Sequence, residues 1–224
     1  MSVVKPVIVS CEASANSPES IVYVVDDEDA MRRSLRGLLE SVGLSVETFA
    51  SSQDFMASSK HNAPSCLILD VRLRGENSLE FQDAMGRHGL RMPVVFITGH
   101  GDIEMSVKAM KAGAMDFLTK PFRDQDVLDA VSHALAKDRE RLSVERSVDL
   151  VRAAYESLTP REREVAGFVL AGFLNKQIAT EMNVSEVTVK MQRGQVMKKL
   201  SVRSVAELVS KLGSLGIVSR AKNG

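Results

Sequence analysis

The chain's 224 residues, 44% hydrophobic and 26% charged, have the balance of a globular protein and the length for two cores. No apolar run approaches the ~20 residues of a membrane span. Residues 3–11, broken by Pro6, are too short and irregular for a signal peptide, so no membrane association is expected. The zero net charge is uneven: residues 21–135 hold 12 Lys and Arg against 17 Asp and Glu, whereas residues 159–224 hold 11 against 5.

Residues 1–20, with their Ser, Ala and Pro, read as a tail. Between 21 and 135, apolar runs alternate about five times with helical spacing, the pattern of βαβ units and a parallel sheet. The first run, 21–25, ends in Asp26-Asp27. Helical spacing follows through Met31, Leu35, Leu38 and Leu39 and stops near Gly43. A second strand is predicted over 45–49, with a weak helix after it. The third run, 66–69, ends in Asp70, and a loop from Arg72 to Ser78 leads to a helix through Leu79, Phe81 and Met85. Pro93 opens a fourth run ending in Thr98. Residues 98–102 form a turn, and Val107, Met110 and Ala114 continue as helix. The fifth run, 116–119, ends in Lys120-Pro121, and a helix begins near Asp124. Leu128, Val131, Leu135 and Leu142 keep its spacing, and no Gly or Pro intervenes before Pro160, which predicts one long connecting helix.

Beyond Leu158 the pattern is wholly helical. Thr159 caps a helix with Pro160 at its first position, and Gly172 closes it. Asn175 caps a second helix ending at Met182, Ser185 caps a third through Leu200, and a fourth runs from about Ser204 to Leu212. The short turn Asn183-Val184 makes the second and third a helix-turn-helix. Cys11 and Cys66 make no metal spacing and need no oxidising compartment, which points to the cytoplasm.

An Asp at a strand end is ordinarily a turn former. Here four strands deliver Asp26 and Asp27, Asp70, Thr98 and Lys120 to one sheet edge, where sites form in open α/β folds. Converging carboxylates repel unless a hard cation sits among them, and oxygen-only ligands suit Mg²⁺. Asp70 is placed to attack a phosphoryl group, with Lys120 neutralising its oxygens and Thr98 donating to one of them.

These residues, with Phe117 and Lys120-Pro121, resemble the receiver domain of two-component response regulators. Thr98-Gly99-His100-Gly101-Asp102 and Met110-Lys111-Ala112-Gly113-Ala114 resemble the branch typified by FixJ. Residues 158–165, Asn175-Lys176-Gln177-Ile178-Ala179 and Val187-Thr188-Val189-Lys190 resemble the LuxR-type DNA-binding domain. The resemblance implies a doubly wound, flavodoxin-like five-stranded receiver over 21–135, a helical linker over 136–157 and a four-helix helix-turn-helix domain over 158–224. It implies phosphorylation of Asp70 by a sensor histidine kinase. It implies Mg²⁺ on Asp27, Asp70 and the backbone carbonyl of Arg72, with Asp26 bound mainly through water, and a cis bond at Lys120-Pro121. Phe117 would turn inward when Thr98 binds phosphate. Arg74 and Ser78 stand where the family usually has Pro and Gly, which bears on phosphate lifetime.

On the third helix of the basic half, Thr188, Lys190, Met191, Arg193, Gln195, Lys198 and Lys199, with Lys176 on the second, are the DNA-contact candidates: cations for phosphates and the guanine edge, Gln for adenine. Met191-Gln192 replaces a common Val-His of the family. Val205, Leu208, Val209 and Leu212 stripe the fourth helix, which LuxR-type domains use to dimerise. The expectation is therefore a transcription factor that dimerises on phosphorylation and binds paired half-sites, with RNA polymerase as a further partner. Two rivals are a phosphorylation-independent DNA-binding regulator and a phosphatase with an Asp70 nucleophile. The latter chemistry wants a second acid two residues on, and position 72 is Arg.

Overall fold

Strand β1 (Ile21–Val25) is buried throughout, as a strand covered on both faces must be, and it lies second in a five-stranded sheet. The structure, a computed structural model, describes residues 19–73, 78–99 and 114–217. Two compact units divide the chain, Met1–Leu142 and Ser143–Gly224.

In the first unit, β2 (Ser45–Phe49), β1, β3 (Ser65–Asp70), β4 (Val94–Thr98) and β5 (Asp116–Thr119) pair in that order, all parallel. Successive side chains of a strand point to opposite faces. Tyr23, Leu67, Leu69 and Phe96 accordingly pack on one face with Phe55 of α2 (Ser52–Ala57) and Met85 of α3 (Ser78–Arg87). Val24, Cys66, Ile68 and Val95 pack on the other with Leu35 and Leu39 of α1 (Asp29–Ser41) and with Val127, Val131 and Ala134 of α4 (Asp124–Glu156). Ser51 caps α2 by accepting the Asp54 N–H, and Gly43, at φ 82°, takes the left-handed turn after α1 that a side chain resists. The strand order reverses between β1 and β3, so their carboxyl ends flank a crevice.

The predicted strands stand where expected, β3 beginning one residue early at Ser65. The predicted tail apart from its last two residues, the turn beyond Gly99 and the helix through Val107 and Met110 lie outside the described residues, as does Arg74. The chain stays helical from Asp124 to Glu156.

The second unit contains α5 (Pro160–Leu170), α6 (Asn175–Met182), α7 (Glu186–Lys199) and α8 (Val205–Gly213) around Val165, Ile178, Val189 and Leu208. Thr159 and Glu162 close a reciprocal capping box at the start of α5. Asn183, at φ 53°, makes the left-handed turn between α6 and α7. The expected Asn175 cap is corrected: Leu174 holds that position, the Gln177 side chain accepts its N–H, and Asn175 is the first helical residue. The α8 stripe is corrected as well. Leu208 and Leu212 have no exposed surface because they close this unit's own core, so of the four only Val209 is exposed. Among the described residues no helix is long and apolar enough to cross a membrane.

Candidate functional site

The ends of β1 and β3 bring Asp26, Asp27 and Asp70 together, one oxygen from each within 4.8 Å of the others. Register explains the convergence: Val25 of β1 pairs with Leu69 of β3, so the next residues of both strands emerge side by side. Asp26 and Asp70 are buried and Asp27 half-buried. Lys120, just after β5, reaches across to donate to Asp70 Oδ2 at 2.6 Å and Asp26 Oδ2 at 3.1 Å. The Lys120–Pro121 peptide is cis, and the Lys120 N–H donates to the Thr98 carbonyl at 2.6 Å.

Backbone donors hold the carboxylates in place. Glu28 N–H donates to Asp26 Oδ1 and Arg72 N–H to Asp70 Oδ1, each at 2.7 Å. Burial pushes the Asp26 carboxyl above its ordinary value, against the lowering by the Glu28 N–H and Lys120, and the Asp70 charge adds to the rise. Burial also opposes the Lys120 ammonium, but the bonds and charges of Asp70 and Asp26 together outweigh it and raise its pKa. Three carboxylates against one ammonium leave two negative charges when all are ionised, the complement of one divalent cation. The all-oxygen set is what a hard cation takes.

Thr98 is buried at the end of β4, beside the pocket. Phe117 is half-buried and packs against the cluster that contains Tyr23 and Phe55, so its ring belongs to the core on that face. Arg72 is exposed.

The second candidate surface is α7. Lys190, Met191, Gln195 and Lys198 are exposed on it, and Thr188 is half-buried with its hydroxyl 2.9 Å from Ser185 Oγ. Lys176, near the start of α6, is exposed. Two residues expected to face DNA also hold the unit together. Arg193 donates to Asn175 Oδ1 at 2.9 Å, tying α7 to the start of α6. Lys199 donates to Glu162 Oε2 at 2.7 Å and to the Ser157 carbonyl at 3.3 Å. The Lys199 bond, with the Thr159 N–H, holds the Glu162 carboxyl below its ordinary value.

The sequence pattern did not mark Asp138. It is fully buried on α4, accepts the Ser65 N–H at 2.8 Å, and takes the Arg141 Nε–H at 2.8 Å. Its signal was an acid in the apolar row of Val127, Val131 and Ala134, where only a paired charge is tolerated.

The comparisons agree with this two-part construction. Residues 22–132 match the family model of the response regulator receiver domain, and residues 156–212 match that of bacterial regulatory proteins of the luxR family. Nodulation protein W of Bradyrhizobium diazoefficiens is 48% identical over 201 residues, covering 90% of this chain and 88% of that protein. Response regulator protein TmoT of Ectopseudomonas mendocina is 46% identical, covering 87% of this chain and 88% of its own length. The chain is a transcriptional response regulator. Among solved structures, that of response regulator StyR covers 87% of this chain and 98% of its own, at 42% identity and a TM-score of 0.78. The first unit thus carries the receiver and the second the LuxR-type output domain.

Proposed function

We propose that this response regulator is switched by a phosphoryl group on Asp70, donated by a sensor histidine kinase. The observation that carries the reading is the pocket itself: three carboxylates within 4.8 Å of one another, with the Lys120 ammonium on two of them. Asp26, Asp27, Asp70 and the Arg72 carbonyl would hold Mg²⁺, which when bound supplies positive charge against the oxygens of the incoming phosphoryl group. An Asp70 oxygen attacks phosphorus and the donor group leaves. Lys120 moves from balancing two carboxylates to balancing the phosphoryl oxygens, and the Thr98 hydroxyl donates to one of them.

That hydroxyl bond biases β4, Phe117 on β5 and α4, the elements next to the pocket. The consequence is self-association of the receiver, which brings two output domains onto paired half-sites of double-stranded DNA in the cytoplasm. There α7, with Lys176 beside it, meets the major groove, and RNA polymerase is a further contact. Exposed Val209 is the part of α8 available for pairing.

The test is incubation with acetyl phosphate and Mg²⁺ followed by intact mass measurement. The wild type gains one phosphoryl group and Asp70→Asn gains none, since the amide is a far poorer nucleophile. Equal gain in both would place the acceptor elsewhere.

A further inference from the structure

Helix α7 has two sides set by its own period. Val189 and Val196 are buried in the core, while Val187, Lys190, Met191, Gly194, Gln195 and Lys198 are exposed, at spacings of three, four, seven, eight and eleven from the first. Those spacings trace a single outward row. It contains no acid. Two of its six members are large apolar side chains one turn apart: Val187, 78% exposed, and Met191, 63% exposed. Val187 is the most exposed large apolar residue among the described ones.

Packing accounts for neither residue, since both are largely exposed, and helix propensity does not account for Val187. Valine loses rotamer freedom in a helix and ranks well below Ala, and at the second helical position an acid or a hydroxyl serves better. Lys190, between the two apolar residues, and Lys198, two turns beyond Met191, give the row a charge complementary to phosphate. Gly194 lies on the same row, and a Cβ there would meet nothing within 4 Å, so the chain's own fold does not require the missing side chain.

A basic row on the second helix of a helix-turn-helix meets base edges in the major groove, beginning with its N-terminal residues. One apolar group is displayed there: the C5 methyl of thymine. We propose that Val187 and Met191 read thymine methyl groups, so that the N-terminal end of α7 selects A·T pairs. Gln195, further along the row, matches the amide-to-adenine pairing and extends the same preference. This rests on the DNA-binding reading above and adds to it which base edge is read and by which side chains.

The experiment is in-vitro selection by the full chain, with acetyl phosphate and Mg²⁺ and again without them, from two random-sequence duplex libraries. One is made with thymine and the other with uracil, which removes the methyl and leaves pairing intact. The wild type enriches a motif with thymine columns from the first library and loses those columns in the second. On duplexes carrying the selected motif, each thymine-to-uracil change beneath the row weakens binding about fourfold, the worth of one buried carbon. Val187→Ser and Met191→Gln, both at exposed positions that leave the fold intact, each flatten thymine columns in the first library. The same motif from both libraries, or from both variants and wild type, would overturn the methyl readout while leaving DNA binding standing. No enrichment from either library under either condition would overturn the readout together with the DNA-binding reading.

Discussion

Lys120 reaches its two carboxylate partners across 50 and 94 positions of sequence, and all three side chains are at least four-fifths covered. The outward row of α7 comes from six residues within one twelve-residue span, 187–198, each of the six open to solvent. In the pocket the charges share partners, so changing one shifts the rest, and effects there should not add. On the row each residue is close to independent, and substitution should change binding without touching the fold. A switch needs the first kind of site, because only coupled groups carry a local event elsewhere. A reading head works best as the second, since its specificity can change one residue at a time.

The sharpest break would come at Thr98. Thr98→Ala should accept a phosphoryl group on Asp70 at a rate near the wild type's, because the hydroxyl is not the nucleophile. Phosphorylation-dependent self-association should be largely lost, as read by analytical ultracentrifugation. Equal association in both proteins would show that Thr98 does not couple the pocket to the rest of the receiver.

Next in size is Asp138→Ala, expected to destabilise the receiver by about 1–3 kcal/mol, because the buried Ser65 N–H loses its acceptor. Denaturant unfolding measures it, and a cost below ~0.5 kcal/mol would mean that water replaces the carboxylate. Lys190→Ala is the counterpart on the row. Stability should stay within ~0.5 kcal/mol of wild type, while the log–log salt dependence of DNA binding loses about one unit of slope. A large stability loss there would contradict the independence of the row.

The smallest effect appears only in acid. Lys199 and the Thr159 N–H hold the Glu162 carboxyl below its ordinary value in the folded domain. Their stabilisation is therefore complete above the ordinary carboxylate range and is lost as pH falls through the lower folded value. Thermal melts between about pH 6 and about pH 3 should show the wild type losing more stability than Glu162→Gln, whose neutral amide does not titrate across that range.

The pocket was legible because each of its residues ends an apolar run, and in a parallel sheet run ends share an edge. Helix faces were less so. Val205, Leu208, Val209 and Leu212 lie on one stripe whether the stripe meets a partner or the domain's own core, and periodicity cannot tell which. The structure puts Leu208 and Leu212 in the core. The expected cap at Asn175 falls one residue late because a polar residue before an apolar row looks like a cap, whereas its carboxamide serves Arg193 from inside the helix. Lys199 was read as facing DNA from charge alone, and its tie to Glu162 spans 37 positions that local spacing cannot see. Asp138 escaped for the same reason, since its partner Ser65 is 73 residues away.

The bond between Asp138 and Ser65 also bears on where this receiver can be cut and grafted. The sequence places its end near residue 135, and the family match ends at residue 132. A fusion made at either point would discard the acceptor that holds the first N–H of β3, the strand that ends at Asp70, together with the Arg141 that balances it. Chimaeras that give this receiver a foreign output, as in a biosensor, should therefore keep the native chain through Arg141 and exchange sequence only beyond it.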